Sequence, residues 1–127
     1  MRLIVASDKD FSNYKEMVKC INELVSKYKR NEEWLEIVGS DIKGASSLSK
    51  LYATNNHLPL KIFSKSDYSK EYGNYAYLKR NEEMIKYASS SLFSGYLLVL
   101  GKVSSRNVKN LISLAGKYKV KVEIKRV

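Results

Sequence analysis

The feature that most constrains the fold is a strict alternation of strand-like and helix-like segments along the 127 residues. Short apolar runs, typical of buried strands, alternate with longer segments whose apolar residues recur every three or four positions. Such alternation predicts a parallel sheet with helices on both faces, because parallel neighbours must be joined by crossover connections. We therefore expect one domain, spanning residues 1–127, of the α/β class: a Rossmann-like three-layer sandwich of about five mostly parallel strands with four helices.

The predicted elements can be bounded from the same patterns. The predicted strands cover residues 3–6, 34–38, 59–63, 96–100 and 120–124, and the predicted helices cover 13–29, 46–53, 77–88 and a fourth segment that begins at Ser104 or Ser105. Ser12 or Asp10 is expected to cap the first helix. The polar segment 64–75 is predicted to be a loop. The strand at 96–100 is the most apolar and is expected to be central, whereas alternating lysines in the last strand indicate an edge.

Chain composition excludes several classes of protein. No apolar run approaches the ~18 residues that span a bilayer, and the first apolar run is too short for a signal peptide, so we expect a cytoplasmic protein without membrane contact. Cys20 is the only cysteine, so no internal disulfide can form, and a reduced, partly buried thiol is expected. His57 has no Cys or His neighbours in the sequence, and we expect no metal and no cofactor.

The formal net charge is +10, with lysine far outnumbering arginine. A basic surface attracts polyanions: nucleic acid, phosphate-bearing ligands or an acidic protein partner. The charge is spread along the chain, and the abundance of Lys, Asn, Tyr, Ile and Ser is typical of an AT-rich genome, which accounts for part of the charge. The net charge therefore indicates a class of partners rather than a site.

Three polar loops, at residues 7–11, 39–46 and 101–107, follow the first, second and fourth predicted strands. In an open parallel sheet, ligands bind beyond the carboxyl ends of the strands, where the strand order reverses. Each loop leads into a helix whose free N–H groups and dipole favour an anion. The same loops are equally explained as ordinary strand-to-helix turns with capping serines and solvated lysines.

The candidate site combines these loops with the start of the third predicted helix. Basic side chains in the loops can neutralise phosphate. Arg80 is expected either to bind a ligand phosphate or to fasten the segment 64–76 through Asp67. The candidate ligand-binding residues are Ser7, Asp8, Lys9, Gly39, Ser40, Lys43, Gly44, Ala45, Arg80, Asn81, Gly101, Ser105, Arg106 and Asn107.

Four tyrosines crowd the segment between the third strand and the third helix: Tyr68, Tyr72, Tyr75 and Tyr77. Their aromatic faces could stack on a base. Alternatively, they pack the segment onto the sheet or form a subunit interface. We expect a homodimer or a larger homo-oligomer.

Several motifs follow one another in an order that carries a resemblance. The first loop reads Val-Ala-Ser-Asp-Lys-Asp-Phe at 5–11, and the second reads Gly-Ser-Asp-Ile-Lys-Gly-Ala-Ser at 39–46; Asp67-Tyr68, Tyr72-Gly73, Arg80-Asn81 and Met84 come after them. Together they resemble the SLOG superfamily, specifically its small YspA/YpsA-like branch, with its Thr-Gly-Asp-Arg-Asp-Phe, Gly-Gly-Ala-Arg-Gly-Ala-Asp, Asp-Trp, Tyr-Gly, Arg-Asn and Met. The resemblance covers nearly the whole chain. It implies a Rossmann-like fold and a nucleotide-derived ligand, as in related nucleotide sensors, phosphoribohydrolases of the lysine-decarboxylase-like group and a DNA-processing protein.

The chain departs from the family pattern in its phosphate-binding loops. Ser7 and Ser40 each replace a glycine, and Asn107-Val108 replaces a Gly-Thr pair whose hydroxyl would reach phosphate. The phosphoribohydrolase relatives place a glutamate three residues after that threonine, where this chain has Leu111. The resemblance therefore implies a family site that has lost its catalytic carboxylate and part of its phosphate cradle.

Four functions stay open at this point. The leading hypothesis is a non-catalytic protein that senses or sequesters a nucleotide-derived small molecule, a role that would suit a phage or mobile-element protein opposing nucleotide-based defence. The first alternative is a nucleotide hydrolase of the phosphoribohydrolase type, with Asp8 a better catalytic candidate than Asp10 or Asp41. The others are single-stranded nucleic-acid binding, and binding of a host protein by a scaffold whose pocket is vestigial.

Overall fold

The computed structural model describes residues 1–30, 33–90 and 94–127. Five parallel strands form one sheet in the order β3-β2-β1-β4-β5. The strands are β1 (Arg2–Ser7), β2 (Glu36–Ser40), β3 (Leu60–Phe63), β4 (Gly95–Leu100) and β5 (Lys121–Lys125). The parallel sheet is the one that the alternation predicts, its strand order is Rossmann-like, and the structure confirms the expected fold class.

The helices within the described residues are α1 (Tyr14–Tyr28), α2 (Ala45–Asn55), α3 (Ser66–Tyr72), α4 (Ala76–Ala88) and α5 (Arg106–Lys117), with a 3₁₀ turn at Gly73–Tyr75 between α3 and α4. α1, α2, α4 and α5 are the four predicted helices. α3 corrects the prediction of a loop over 64–75. It buries no side chain fully, so its sequence lacks the apolar stripe from which a helix is recognised.

The core has two halves, one on each face of the sheet. Helices α1 and α2 cover one face, through residues such as Met17, Ile21 and Ala53. Helices α4 and α5 cover the other, through residues such as Ile85 and Leu111. Successive residues of β1 and β4 alternate between the two halves, which explains why both strands are apolar without interruption.

Several finer predictions are corrected by the structure. β1, not β4, is the central strand, although β4 is also interior; β5 pairs only with β4 among the described strands and is the predicted edge. β2 begins at Glu36 rather than at the predicted residue 34; Trp34 precedes the strand and is 77% exposed. Asn13, rather than Ser12 or Asp10, caps α1 by accepting a hydrogen bond from the Glu16 N–H at 3.1 Å. Asn caps as well as Ser or Asp, and adjacent candidates look alike in sequence.

Cys20 is buried in the α1 half of the core, as expected, and burial raises the pKa of its thiol. Among the described residues, no helix combines the length and the apolar character that a bilayer crossing requires.

Candidate functional site

The three predicted loops meet at one end of the sheet. β1 has β2 on one side and β4 on the other, so the strand order reverses at β1. Because all five strands run in one direction, the loops after β1, β2 and β4 leave the sheet at the same rim. They enclose a cleft of about 570 Å³, which is the size of a small-ligand site. Its lining residues are Ser7, Asp8, Lys9, Asp10, Ile42, Lys43, Ser105 and Asn107.

The start of α2 is held against the end of β1 by Ser7. The Ser7 hydroxyl accepts a hydrogen bond from the Ala45 N–H at 2.7 Å and donates one to the Asp8 carbonyl oxygen at 2.8 Å. Gly44 has a φ of 96°, and a Cβ on it would lie 2.5 Å from the Asp8 carbonyl oxygen. Ser7 therefore occupies one of the free N–H groups that the start of a helix offers to an anion, in the position where the resemblance places a glycine.

The start of α5 is held by the carboxylate of Asp8. One carboxylate oxygen accepts from the Ser105 N–H at 3.2 Å, and the other accepts from the Ser104 hydroxyl. The bond from Ser104, with those from Ser105, holds the pKa of Asp8 below its usual value. Ser105 in turn caps α5 by accepting from the Val108 N–H, as predicted. Asp8 is thus an ionised group fixed at a positive helix end, and it is half-buried at the cleft wall.

Two residues of the second predicted loop lie below the cleft instead of lining it. Ser40 is 3% exposed, and its N–H donates to the Ser46 hydroxyl at 3.0 Å. Gly39 lies under α2, where a Cβ would meet the Ile62 side chain at 3.4 Å. Both residues pack the end of β2 against α2, so their role is in the fold and they do not contact the cleft.

A buried polar cluster, the Arg80 cluster, lies beside the cleft. Arg80 is 1% exposed. It donates to Asp41 at 3.1 Å, to Asn81 at 3.0 Å and to Asn107 at 2.7 Å. The Asn81 amide donates to Asn107 and Asn110, at 2.9 Å each. The cluster ties the loop after β2 to α4 and α5, and it presents only Asn107 to the cleft.

The ion-pair partner of Arg80 is Asp41. The sequence suggested a ligand phosphate or Asp67 as its partner, and the structure pairs it with Asp41. Burial acts to raise the pKa of Asp41, but hydrogen bonds from the Lys65 N–H and the Arg80 charge outweigh it and keep the pKa below its usual value. Through Lys65, Asp41 also fastens the start of α3. Asn110 completes the cluster and was not predicted, because a single Asn among the polar positions of an amphipathic helix carries no signal of its own.

The other predicted residues divide by position. Lys9 and Lys43 are exposed and line the cleft. Gly101, with a φ of 77°, ends β4, and its N–H donates to the Lys125 carbonyl oxygen at 2.8 Å. Arg106 is exposed on the first turn of α5. None of the predicted tyrosines is among the described residues that line the cleft, and Tyr75 is 70% exposed on the 3₁₀ turn.

Basic residues lie at or just after the carboxyl end of every strand of the sheet. Parallel strands place all of them at the rim that carries the cleft, and each is at least partly exposed. These residues, the basic rim, are Lys9, Lys43, Lys65, Lys102, Arg106, Lys125 and Arg126. Asp41 is paired with Arg80, whereas Asp8, Asp10 and Asp67 keep their negative charge near this rim. The seven basic residues outnumber these carboxylates, so the rim is positive on balance and attracts phosphate.

A larger depression, of about 730 Å³, lies along the outer face of α1 between Lys15 and Lys27. All its lining residues belong to that one helix, so it offers no polar groups that converge from different elements. The smaller cleft at the rim is the better candidate site, because it has them. Among the described residues, no three His, Cys, Asp or Glu side chains are grouped to hold a metal.

The fold and the cleft together define an open parallel α/β protein with a candidate ligand site at the reversal of its strand order. Comparison of the chain with protein-family models, with curated proteins and with solved structures finds no match.

Proposed function

We propose that this protein binds a nucleotide-derived small molecule in the rim cleft and acts by sensing or sequestering it. The observation that carries the proposal is that loops after β1, β2 and β4 enclose one cleft where the strand order reverses. This is the position at which open α/β sheets bind their ligands.

The charges around the cleft favour a ligand with both phosphate and hydroxyl groups. Lys9 and Lys43, which line the cleft from two loops, can pair with phosphate oxygens. Asp8 is ionised and accepts hydrogen bonds, so it would repel phosphate and accept instead from a sugar hydroxyl or a base amino group. A nucleotide carries both kinds of group.

The cleft supports binding better than hydrolysis. The carboxylate of Asp8 already accepts from Ser104 and from Ser105, and its lowered pKa makes it a weak general base. Leu111 of α5, at the position where the resemblance places a catalytic glutamate, is 2% exposed and lies in the hydrophobic core. Asp10 is exposed and lines the cleft, so it is the carboxylate left for a hydrolase of this type.

The SLOG resemblance supports the same proposal through its motifs. Of the segments that match it, 5–11 and 39–46 contribute residues to the cleft, and Arg80-Asn81 lies beside it, bonded to Asn107. Where the chain departs from the pattern, Ser7 fills a place at the start of α2. A protein that keeps the cleft and fills part of the phosphate cradle with its own side chain is expected to bind a related ligand in an altered pose.

The first experiment identifies a ligand directly. Purified protein is denatured, and released small molecules are analysed by mass spectrometry. In parallel, the melting temperature is measured with nucleoside phosphates, cyclic dinucleotides and ADP-ribose. A ligand present at 100 times its Kd stabilises the folded state by about 2.7 kcal/mol, a shift that is easily measured. Protein free of bound molecules and indifferent to every nucleotide tested would refute the proposal.

A pair of lysine variants then tests the location. Lys43→Ala removes a cation that lines the rim cleft, and Lys19→Ala removes one that lines the α1 depression. We expect Lys43→Ala to weaken nucleotide binding roughly tenfold, as for one lost charge-assisted contact, and Lys19→Ala to leave it unchanged. Equal effects of the two variants, or a larger effect of Lys19→Ala, would place the ligand elsewhere.

The basic rim favours a second candidate function, the binding of single-stranded nucleic acid. A strand that crosses the rim would pair its phosphates with residues outside the cleft, such as Lys102 and Arg126. Its affinity would fall with salt at a logarithmic slope of about −0.7 for each phosphate neutralised. Anisotropy of a labelled oligonucleotide at several salt concentrations separates the two functions, because a mononucleotide would not compete with such a strand.

A further inference from the structure

The edge strand β3 is the least protected part of the sheet. Within the described residues it pairs only with β2, and Leu60 and Ile62 are 38% and 36% exposed. Lysines discourage the pairing of edges, and β3 has one, the exposed Lys61, whereas the other edge, β5, has exposed Lys121, partly exposed Lys125 and the charged Glu123. From this difference we infer that β3 pairs with β3 of a second copy of this chain, in antiparallel orientation, and so joins the two sheets into one.

The backbone of β3 is oriented for such pairing. The Ile37 N–H donates to the Pro59 carbonyl oxygen at 3.0 Å, and Ile37 is in register with Leu60. In a parallel ladder the residues on either side of a register partner bond to the neighbouring strand, so Leu60 and Ile62 direct their own N–H and C=O groups outward. These groups need a partner or water.

The surface around this edge is unusually poor in charge. Residues 45–64 contain two charged side chains, Lys50 and Lys61, in a chain that is 28% charged. The side chain of Ile62 lies on the α2 face of the sheet, and α2 adds Leu51, which is 49% exposed. Two copies of a +10 protein repel each other, so they are expected to meet where this charge is lowest. An acidic partner would instead select the basic rim.

Charge also selects the register of the pairing. A two-fold axis through Lys61 would place two lysines directly opposite each other, which is destabilising. An axis through Ile62 places Ile62 opposite its copy, and Lys61 opposite the partner's Phe63. Lys61 already lies 5.5 Å from the Phe63 ring of its own chain, so the same cation–π pairing can form across the axis. We therefore assign the axis to Ile62.

The mass in solution tests the interface. Sedimentation velocity is measured from low to high micromolar concentration for the wild type, for Ile62→Lys and for Ile124→Lys, a matched change on the β5 edge where Ile124 is 43% exposed. We expect the wild type to form a dimer. The dissociation constant of the dimer should rise roughly tenfold or more in Ile62→Lys and stay at the wild-type value in Ile124→Lys. A wild type that is monomeric throughout, or an Ile62→Lys dimer as tight as wild type, would overturn the inference.

Crosslinking tests the register. Residues opposite each other in an antiparallel pair have Cβ atoms about 5 Å apart, so a short bismaleimide should link Ile62→Cys to its copy and leave Ile124→Cys unlinked. Tyr75→Lys tests the exposed tyrosine as the competing interface. If Tyr75→Lys dissociates the dimer and Ile62→Cys does not crosslink to its copy, the interface lies at the tyrosine segment instead. The two-fold axis leaves the rim clefts at opposite ends of the joined sheet, so this result is independent of the proposed function.

Discussion

Two polar regions lie at the same end of the sheet and use their hydrogen bonds differently. In the Arg80 cluster, a buried guanidinium and three asparagines bond mainly to one another. At the junction of Ser7 and Asp8, side chains bond to the backbone at the starts of α2 and α5. Asn107 belongs to the cluster and also lines the cleft, so it connects the two regions.

The difference shows how a cleft can stay open beside a rigid wall. A buried charge is stable only when its partners are all present, so the Arg80 cluster fixes the position of the loop after β2. At the Ser7–Asp8 junction the Ser7–Ala45 bond is buried, but Asp8 is half-exposed, so water or a ligand can replace the contacts of Asp8 at little cost. Substitutions should therefore affect stability most in the cluster and least at the cleft wall.

The largest effect is expected for Arg80→Met. The change leaves the buried Oδ1 of Asn81 without its donor and removes one of the two donors to Asn107 Oδ1, whereas Asp41, which is partly exposed, regains water. We expect the free energy of unfolding to fall by about 3 kcal/mol, the upper end of the cost of leaving a buried polar group without its hydrogen-bond partner. Urea unfolding measures it.

The matched control for that substitution is Lys86→Met, which changes an exposed cation on the same helix. Its effect should stay within about 0.5 kcal/mol. If the two variants were equally stable, the Arg80 cluster would contribute no rigidity, and the contrast between the two regions would fail.

A smaller effect is expected for Gly44→Ala, at the edge of the junction. A Cβ would lie 2.7 Å from the Ser7 hydroxyl oxygen, and the φ of 96° is unfavourable for alanine. We expect a loss of about 2 kcal/mol in the free energy of unfolding. Gly116→Ala is the opposite control: its Cβ would meet nothing within 4 Å in α5, so alanine should stabilise the helix by about 0.5–1 kcal/mol. Equal shifts in both variants would show that the contact of α2 with β1 is loose.

The fold could be predicted because each strand and helix is encoded by its own short stretch of sequence. A strand such as β4 and a helix such as α5 each show their own apolar pattern, and the parallel sheet follows from their alternation. The gathering of three loops at one rim follows from the same argument. α3 could not be predicted, because it contacts α4 along a half-exposed surface without an apolar stripe.

The candidate site was predicted only in part, because its hydrogen bonds join residues far apart in sequence. Arg80 and Asp41 are 39 positions apart, and nothing local in the sequence favours Asp41 over Asp67. The hydroxyl of Ser7 bonds 38 positions away, to Ala45. The sequence thus indicated which loops meet, but the pairing of their polar groups depends on where the helices pack.

The smallest effect is expected for Asp8→Asn, and its size depends on pH. Asparagine keeps an oxygen that accepts from the Ser105 N–H but lacks the charge that favours the start of α5. A carboxylate at an exposed helix start contributes about 0.3–1 kcal/mol. The pKa of Asp8 is lowered in the folded protein, so this contribution is complete above the unfolded pKa of about 3.9 and is lost as pH falls through the lower, folded value. Wild type should therefore exceed Asp8→Asn in stability at neutral pH, and the difference should vanish in acid. A difference that does not change with pH would mean that Asp8 acts at the start of α5 through hydrogen bonding alone.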